Sequence, residues 1–175
     1  MCSSDLFRME PSGASITVAD INPDMLGVGM ERAAERGIDT LVWSEQNAEK
    51  LSFPDQFFDA YTIAFGIRNV TDIPAALKEA HRVLRYGGRF FCLEFSTNEW
   101  PGFAQVYDAY SHHLVPKLGK LIADDEDSYR YLIESIRRFP PMPAFAQMIR
   151  DAGFTAVKVE PILGGLVAIH SGWKA

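Results

Sequence analysis

The sequence of 175 residues predicts an α/β fold: a mostly parallel, doubly wound sheet that ends in an antiparallel hairpin. Short apolar segments alternate with amphipathic helical segments over the first half of the chain, which is typical of βαβ units. Near the C-terminus, two strand-like segments are separated by Gly164-Gly165, as in an edge hairpin. The length and the 47% hydrophobic fraction favour one domain, residues 1–175, with a single core.

Three strands are predicted in the first half of the chain, at residues 15–20, 40–43 and 57–65. The third is strongly apolar, which fits a parallel strand covered on both faces of the sheet. Between the first two, a helix is predicted from its N-cap Asn22 to Gly37, which ends it.

The remaining elements are a helix at residues 72–84, stopped by Gly87-Gly88, and a fourth strand at 89–95. Residues 100–139 are rich in Tyr, His and Leu and are predicted to be helical, as a lid or an insertion between strands. A helix at 144–152 and strands at 156–160 and 166–170 complete the pattern.

Composition excludes several classes of function. The net charge of −6 argues against a general nucleic-acid binder, because phosphate contacts need a basic surface. Two distant cysteines and four histidines argue against a metal site or a disulfide framework, so we expect neither. We expect a reducing, cytoplasmic compartment, since residues 1–5 lack the features of a signal peptide.

Polar residues follow the first two predicted strands. Asp20 ends the first strand, where a carboxylate can accept hydrogen bonds from both hydroxyls of a ribose. Asn47-Ala48 follows the second strand, where an amide and backbone N–H groups can recognise the edge of an adenine. Position alone leaves other roles open: a helix cap or solvated acid for Asp20, and an ordinary turn for Asn47.

Arg68 and Asn69 follow the most apolar strand, after Gly66, which permits close backbone approach. This places a guanidinium and an amide over the cleft, where Arg68 can bind a phenolate oxygen or orient a water. The alternatives are a surface salt bridge for Arg68 and a cap for Asn69. Glu94 and Ser96, at the end of the fourth strand, are further candidates for the cleft.

An aromatic and histidine cluster, Tyr107, Tyr110 and His112, lies in the predicted helical insertion. It suits the wall of a pocket for a flat, hydrophobic, hydroxylated ring, with packing of a helix on the sheet as the alternative.

Several segments, taken in order, resemble the UbiE-type ubiquinone/menaquinone biosynthesis C-methyltransferases, a family of class I S-adenosylmethionine-dependent enzymes. The most specific is Phe65-Gly-Ile-Arg-Asn-Val-Thr-Asp72. The others lie at residues 18–26, 47–49, 82–96, 135–140 and 165–174. The resemblance implies methylation of a ring carbon of a polyprenyl quinol, either demethylmenaquinol or a 2-methoxy-6-polyprenyl-1,4-benzoquinol.

By resemblance, Asp20 binds the ribose hydroxyls, and Asn47 with Ala48 binds the adenine. Ala64 stands where some members carry a serine near the cofactor. Arg68 with Asn69 is the expected catalytic pair, in which Arg68 orients water and stabilises the phenolate because arginine does not release its proton. The residues implied to bind S-adenosylmethionine are Asp20, Ile21, Asn47, Ala48 and Ala64.

Relative to the family pattern, nothing before Ser15 supplies the first strand and its Gly-rich loop. We therefore expect an N-terminally truncated domain with exposed sheet edges, which binds S-adenosylmethionine weakly or not at all. The alternative to an enzyme is a catalytically inactive fragment or an assembly subunit of a quinone-synthesis complex.

The resemblance also sets expectations for partners and location. The polyprenyl quinol substrate implies peripheral contact with the inner membrane, on the matrix side in a eukaryote, and contact with other quinone-synthesis proteins. A homodimer is left open.

Overall fold

A computed structural model describes residues 14–96 and 126–175, including the backbone but not the side chains of residues 126–129. This part of the chain contains six strands, four α-helices and two short 3₁₀ turns, Ile67–Asn69 and Leu163–Gly165. The strands and helices, in chain order, are β1 (Thr17–Asp20), α1 (Pro23–Glu35), β2 (Val42–Glu45), β3 (Phe58–Ala64), α2 (Ile73–Val83), β4 (Leu84–Phe95), α3 (Glu126–Arg138), α4 (Met142–Asp151), β5 (Thr155–Ile162) and β6 (Val167–Trp173).

The strands confirm the predicted α/β class. β1 pairs in parallel with β2, and β3 pairs in parallel with β4. The C-terminal hairpin is antiparallel, with β6 inserted between β4 and the edge strand β5. Within the described residues the strands form two sheets, of two and four strands, and β1 and β3 are each the end strand of their sheet.

The two-stranded sheet is packed by α1. The side chain of Asn22 accepts a hydrogen bond from the backbone N–H of Asp24 at 2.9 Å, which caps the helix as predicted. Leu26 and Ala33 then face the sheet and bury themselves against Val18. The apolar positions of α1 therefore set its orientation on β1 and β2.

The main core lies between the four-stranded sheet and helices α2 and α4. Helix α2 is capped by Asp72, whose carboxylate accepts from the Ala75 N–H at 3.0 Å. Alternate residues of β4 point to these helices, as the period of a strand requires. The buried members of this core are Ile67, Leu77, Ala80, Leu84, Phe90, Cys92, Phe139, Phe145, Ile149 and Phe154.

The expectation that Gly87-Gly88 ends helix α2 was wrong. The helix ends at Val83, and β4 starts at Leu84, so both glycines lie inside the strand. A Cβ on Gly88 would sit 2.8 Å from the carbonyl oxygen of Arg85 and 3.2 Å from that of Asp59 on β3. The glycine is needed because the backbone approaches this closely, not because the helix stops there.

Two other boundaries are shifted by two residues from the expected ones. β2 occupies Val42–Glu45, two residues later than predicted, and α4 begins at Met142 rather than at residue 144. Pro143 is tolerated there because the first turn of a helix does not use its N–H groups. Of the predicted helical stretch 100–139, residues 126–138 form α3, and residues 100–125 lie outside the described part.

We predict that Gly29→Ala in α1 destabilises the fold by about 1–3 kcal/mol, because the new Cβ would lie 2.6 Å from the ring of Trp43. Gly27→Ala is the matched control on the same helix. No atom beyond its own helix would lie within 4 Å of the added methyl group, so this variant should gain up to about 1 kcal/mol from helix propensity. Urea unfolding of both variants tests the contrast, and equal effects would contradict the packing of α1 on β2.

Candidate active site

The site begins where β3 ends, at a residue with unusual backbone geometry. Phe65 has φ of +54°, which lies in the left-handed region of backbone conformation that residues other than glycine rarely adopt. Its N–H donates to the carbonyl oxygen of Leu93 at 2.9 Å, and its ring lies 4.8 Å from the ring of Phe95, centroid to centroid. Such a conformation persists only where the surroundings hold it, and it is common at functional sites.

Arg68 supplies the strongest of these restraints. Its Nη1 donates to the Phe65 carbonyl oxygen at 2.6 Å and to Glu94 Oε1 at 2.9 Å. The side chains of this ion pair are 10% and 0% exposed. The salt bridge that was the alternative role for Arg68 is therefore present, but it is buried between β4 and the 3₁₀ turn and does not lie at the surface.

Glu94 is surrounded by donors. Its carboxylate accepts from the N–H of Phe95 at 2.9 Å as well as from the guanidinium of Arg68. Burial raises the pKa of the Glu94 carboxyl, and the hydrogen bond from Phe95 together with the positive charge of Arg68 opposes this rise. Desolvation thus outweighs the favourable contacts of the Glu94 carboxylate, and its ionised form is kept in place by the surrounding packing.

Helix α3 reaches the same turn with two side chains. Ser135 Oγ accepts a hydrogen bond from Arg68 Nε at 3.2 Å, and the Tyr131 hydroxyl donates to Asn69 Oδ1 at 3.0 Å. Asn69 is exposed, whereas the side chain of Arg68 is mostly buried. Of the two predicted catalytic residues, Asn69 therefore faces the open side of the site and Arg68 faces the protein.

Asp20 and Ile21 lie at the carboxyl end of β1. Asp20 Oδ1 accepts from the Asn22 N–H at 2.9 Å, and this is the hydrogen bond that its carboxylate makes within the described residues. Ile21, the next residue along the chain, is 63% exposed. A carboxylate with acceptor sites that no described residue fills, followed in sequence by an exposed apolar side chain, fits the ribose and adenine of a nucleoside.

The loop after β2 connects this region to the main sheet. Asn47 is exposed, and its Oδ1 accepts from the Glu49 N–H at 2.9 Å, which forms a tight turn around the half-buried Ala48. Glu49 Oε1 in turn accepts from the N–H groups of Thr71 at 2.6 Å and Asp72 at 3.1 Å. The loop that follows β2 is thus fastened to the loop that follows β3, and their strand ends share one side of the molecule.

Arg82 extends this connection. It donates to the carbonyl oxygens of Phe53 at 2.8 Å and Leu51 at 3.0 Å, and it pairs with Asp55 and Glu79. Glu79 also accepts from the Leu51 N–H at 2.8 Å. Helix α2 therefore holds most of the segment between β2 and β3 in place by side-chain contacts to its backbone.

Of the other predicted site residues, one lies in the described part of the chain and three lie outside it. Ala64 is the last residue of β3 and is half-buried, directly before Phe65. Tyr107, Tyr110 and His112 lie outside the described residues. Where the structure does describe the chain, no helix is both long and apolar enough to cross a bilayer, and no cluster of metal-ligating side chains is present.

Tyr131 was not among the predicted site residues. The sequence does carry a signal for it, since Tyr131 and Ser135 are four residues apart and so share one face of a helix. What the sequence lacks is any indication that this face packs on the turn at Arg68 and Asn69, more than sixty residues away.

The fold is that of class I S-adenosylmethionine-dependent methyltransferases. One solved relative in structure is a putative methyltransferase from Bacillus halodurans, with a TM-score of 0.64 and 15% identity, over 90% of this chain and 82% of that one. Another is an S-adenosylmethionine-dependent methyltransferase from Thermotoga maritima, described as a possible histamine N-methyltransferase, with a TM-score of 0.61 and 20% identity, over 91% and 73%. At these identities the likeness establishes the fold alone.

Sequence comparison carries the assignment further. The chain belongs to the ubiE/COQ5 methyltransferase family, whose model matches residues 3–174, and this confirms the family expected from the resemblance. The ubiquinone/menaquinone biosynthesis C-methyltransferase UbiE of Zymomonas mobilis is 63% identical over 96% of this chain. The mitochondrial 2-methoxy-6-polyprenyl-1,4-benzoquinol methylase of Arabidopsis thaliana is 60% identical over 91%. The chain spans 69% of the length of the first and 56% of the second.

The buried ion pair predicts an asymmetry between its two partners. Glu94→Gln should cost about 3–5 kcal/mol of unfolding free energy, because it leaves a buried guanidinium that cannot release its proton. Arg68→Met should cost less, since the Glu94 carboxyl, whose pKa burial already raises, can take up a proton. Urea unfolding of the two variants at neutral pH measures both losses, and a larger loss in Arg68→Met would contradict the argument.

The pH dependence of the Arg68→Met variant follows from the same argument. Removing the guanidinium raises the folded-state pKa of Glu94 further above its unfolded value, so the protonated, uncharged form is favoured in the folded state. The deficit of this variant relative to the unsubstituted protein should therefore shrink as the pH falls from about 7.5 to about 5.5. Denaturant unfolding at the two pH values measures it, and a deficit that does not change with pH would contradict the pairing.

Proposed function

We propose that the full-length protein transfers a methyl group from S-adenosylmethionine to a ring carbon of a polyprenyl quinol in ubiquinone or menaquinone biosynthesis. The observation that carries the proposal is membership of the ubiE/COQ5 family, together with Arg68-Asn69 fixed at the carboxyl end of β3. Ligands of open α/β sheets bind outside the carboxyl ends of parallel strands, which supports this location for both ligands.

Four residues at the end of β1 and in the loop after β2 fit S-adenosylmethionine. Asp20 would accept hydrogen bonds from the ribose hydroxyls, and Ile21 would cover one face of the adenine. Asn47 and the backbone of Ala48 would recognise the edge of the adenine. When bound, S-adenosylmethionine supplies an electrophilic methyl group on a positively charged sulfur.

Asn69 and Arg68 would act on the quinol. The exposed amide of Asn69 would donate a hydrogen bond to a ring hydroxyl oxygen and orient the ring. Arg68 Nη1 and Nε are engaged by protein groups, and Nη2 makes no hydrogen bond within the described residues. Nη2 would therefore hold a water that takes the hydroxyl proton, and the charge of Arg68 would stabilise the phenolate whose neighbouring carbon is then nucleophilic.

A quinol with a polyprenyl tail resides in a membrane. We therefore propose that the protein works at the surface of the membrane that holds its substrate, on the cytoplasmic side in a bacterium and on the matrix side in a mitochondrion.

The test is a methyl-transfer assay. The full-length protein should transfer labelled methyl from S-adenosylmethionine to demethylmenaquinol, to a 2-methoxy-6-polyprenyl-1,4-benzoquinol, or to both, presented in detergent micelles. A quinol already methylated at the reacting carbon is the control and should stay unlabelled. If neither quinol gains the label while the folded protein still binds S-adenosylmethionine, the proposed reaction is wrong.

Asp20→Ala should weaken binding of S-adenosylmethionine to the full-length protein by about 10- to 100-fold, because hydrogen bonds to a charged group contribute about 1.5–3 kcal/mol. Asp24→Ala, in the exposed first turn of α1, is the control with an equal change of charge and should leave the affinity unchanged. Isothermal titration calorimetry measures both. Equal losses in the two variants would point to a general electrostatic effect and against a ribose contact.

A further inference from the structure

Helix α3 contacts both residues of the proposed catalytic pair from a single face. Tyr131 and Ser135 stand one helical turn apart and hydrogen-bond to the consecutive residues Asn69 and Arg68. The helix is anchored independently of these bonds, because Ile133 and Ile136 are buried. Its position over the 3₁₀ turn therefore does not depend on the Tyr131 hydroxyl.

The hydrogen bond between Tyr131 and Asn69 holds the amide of Asn69 in one place at the 3₁₀ turn. The Tyr131 hydroxyl donates to Asn69 Oδ1, so the oxygen of the amide is turned to α3 and its Nδ2 is turned away. Asn69 is exposed and Tyr131 is 58% exposed, so the two N–H groups of Nδ2 stand at the open side of the site.

The chemistry of a quinol requires one of the two orientations of this amide. A ring hydroxyl that has lost its proton is an acceptor only, and it is stabilised by N–H donors and repelled by a carbonyl oxygen. Arg68 has committed Nη1 and Nε to Glu94, Phe65 and Ser135, so the donors of Asn69 matter more than they would beside a free guanidinium.

We propose that Tyr131 is a positioning residue, which fixes the amide of Asn69 so that Nδ2 donates to the ring oxygen of the quinol. This inference rests on the proposed function. It extends the site to α3, whose Tyr131 orients Asn69 while Ser135 holds Arg68. It also explains the choice of side chain, because tyrosine combines an exposed ring with a donor that reaches a residue on another element.

The experiment compares Tyr131→Phe with Tyr86→Phe in the full-length protein. Tyr86 is 69% exposed and lies on β4, outside the proposed site. The Tyr86→Phe variant therefore loses the same hydroxyl group and leaves the contacts of Asn69 intact. Tyr131→Phe should lower kcat/KM for the quinol by about five- to tenfold, because it removes one orienting hydrogen bond. The KM for S-adenosylmethionine and the melting temperature should not change, and Tyr86→Phe should match the unsubstituted protein.

A double-mutant cycle separates positioning from a direct or purely structural role. If Tyr131 acts through Asn69, Tyr131→Phe should cause no further loss of kcat/KM in an Asn69→Ala background. An equal loss in both backgrounds, or no loss in either, would overturn the proposal. A fall in melting temperature that accounts for the lost activity would also overturn it, because the hydroxyl would then be structural.

Failure of the proposed function can be told apart from failure of this inference. If the unsubstituted protein methylates neither quinol, the function is wrong, and the orientation of the amide is then read by NMR of the side-chain NH₂ of Asn69. Tyr131→Phe should shift those resonances and speed their exchange with water, and Tyr86→Phe should not. Unchanged resonances in Tyr131→Phe would show that Tyr131 does not position Asn69.

Discussion

The buried pair of Arg68 and Glu94 is the interaction on which the site depends. It joins the end of β3 to the end of β4 and holds the left-handed residue Phe65 by its carbonyl oxygen. The same guanidinium reaches Ser135, so a helix distant in sequence is fastened to this point. Desolvation of Glu94 offsets part of the attraction between the two charges, and the pair fixes one geometry for the turn that carries Asn69.

The neighbouring residues Arg68 and Asn69 lie in different environments. Arg68 faces the protein and supplies a fixed positive charge, and Asn69 faces the solvent with its amide oriented by Tyr131. A buried charge acts on its surroundings with less screening than an exposed one, so under the proposed function Arg68 would stabilise a bound phenolate without leaving Glu94. This separation would suit the proposed reaction, in which the site binds a flat, weakly polar ring and stabilises a negative charge that appears only during the reaction.

A second set of contacts joins the two sheets. Glu49 binds the N–H groups that precede α2, and Arg82 on α2 holds the carbonyl oxygens of the segment between β2 and β3. Glu49 belongs to a motif that resembles an adenine-binding segment, yet its carboxylate is used inside the protein. Glu49 thereby fixes the loop that carries Asn47 and Ala48 to the loop that follows Arg68.

Local patterns in the sequence were enough to predict the α/β class, the C-terminal hairpin and the cap at Asn22. Hydrophobic periodicity, turn residues and helix caps each depend on only a few neighbouring positions. They also singled out Arg68 and Asn69, through their place at a strand end. They were not enough for the partners of these residues. The position of Gly88 inside β4 depends on the backbone of β3, and the burial of Arg68 depends on Glu94. The contact between Tyr131 and Asn69 joins residues 62 positions apart, so only tertiary packing, which brings α3 onto the 3₁₀ turn, decides it.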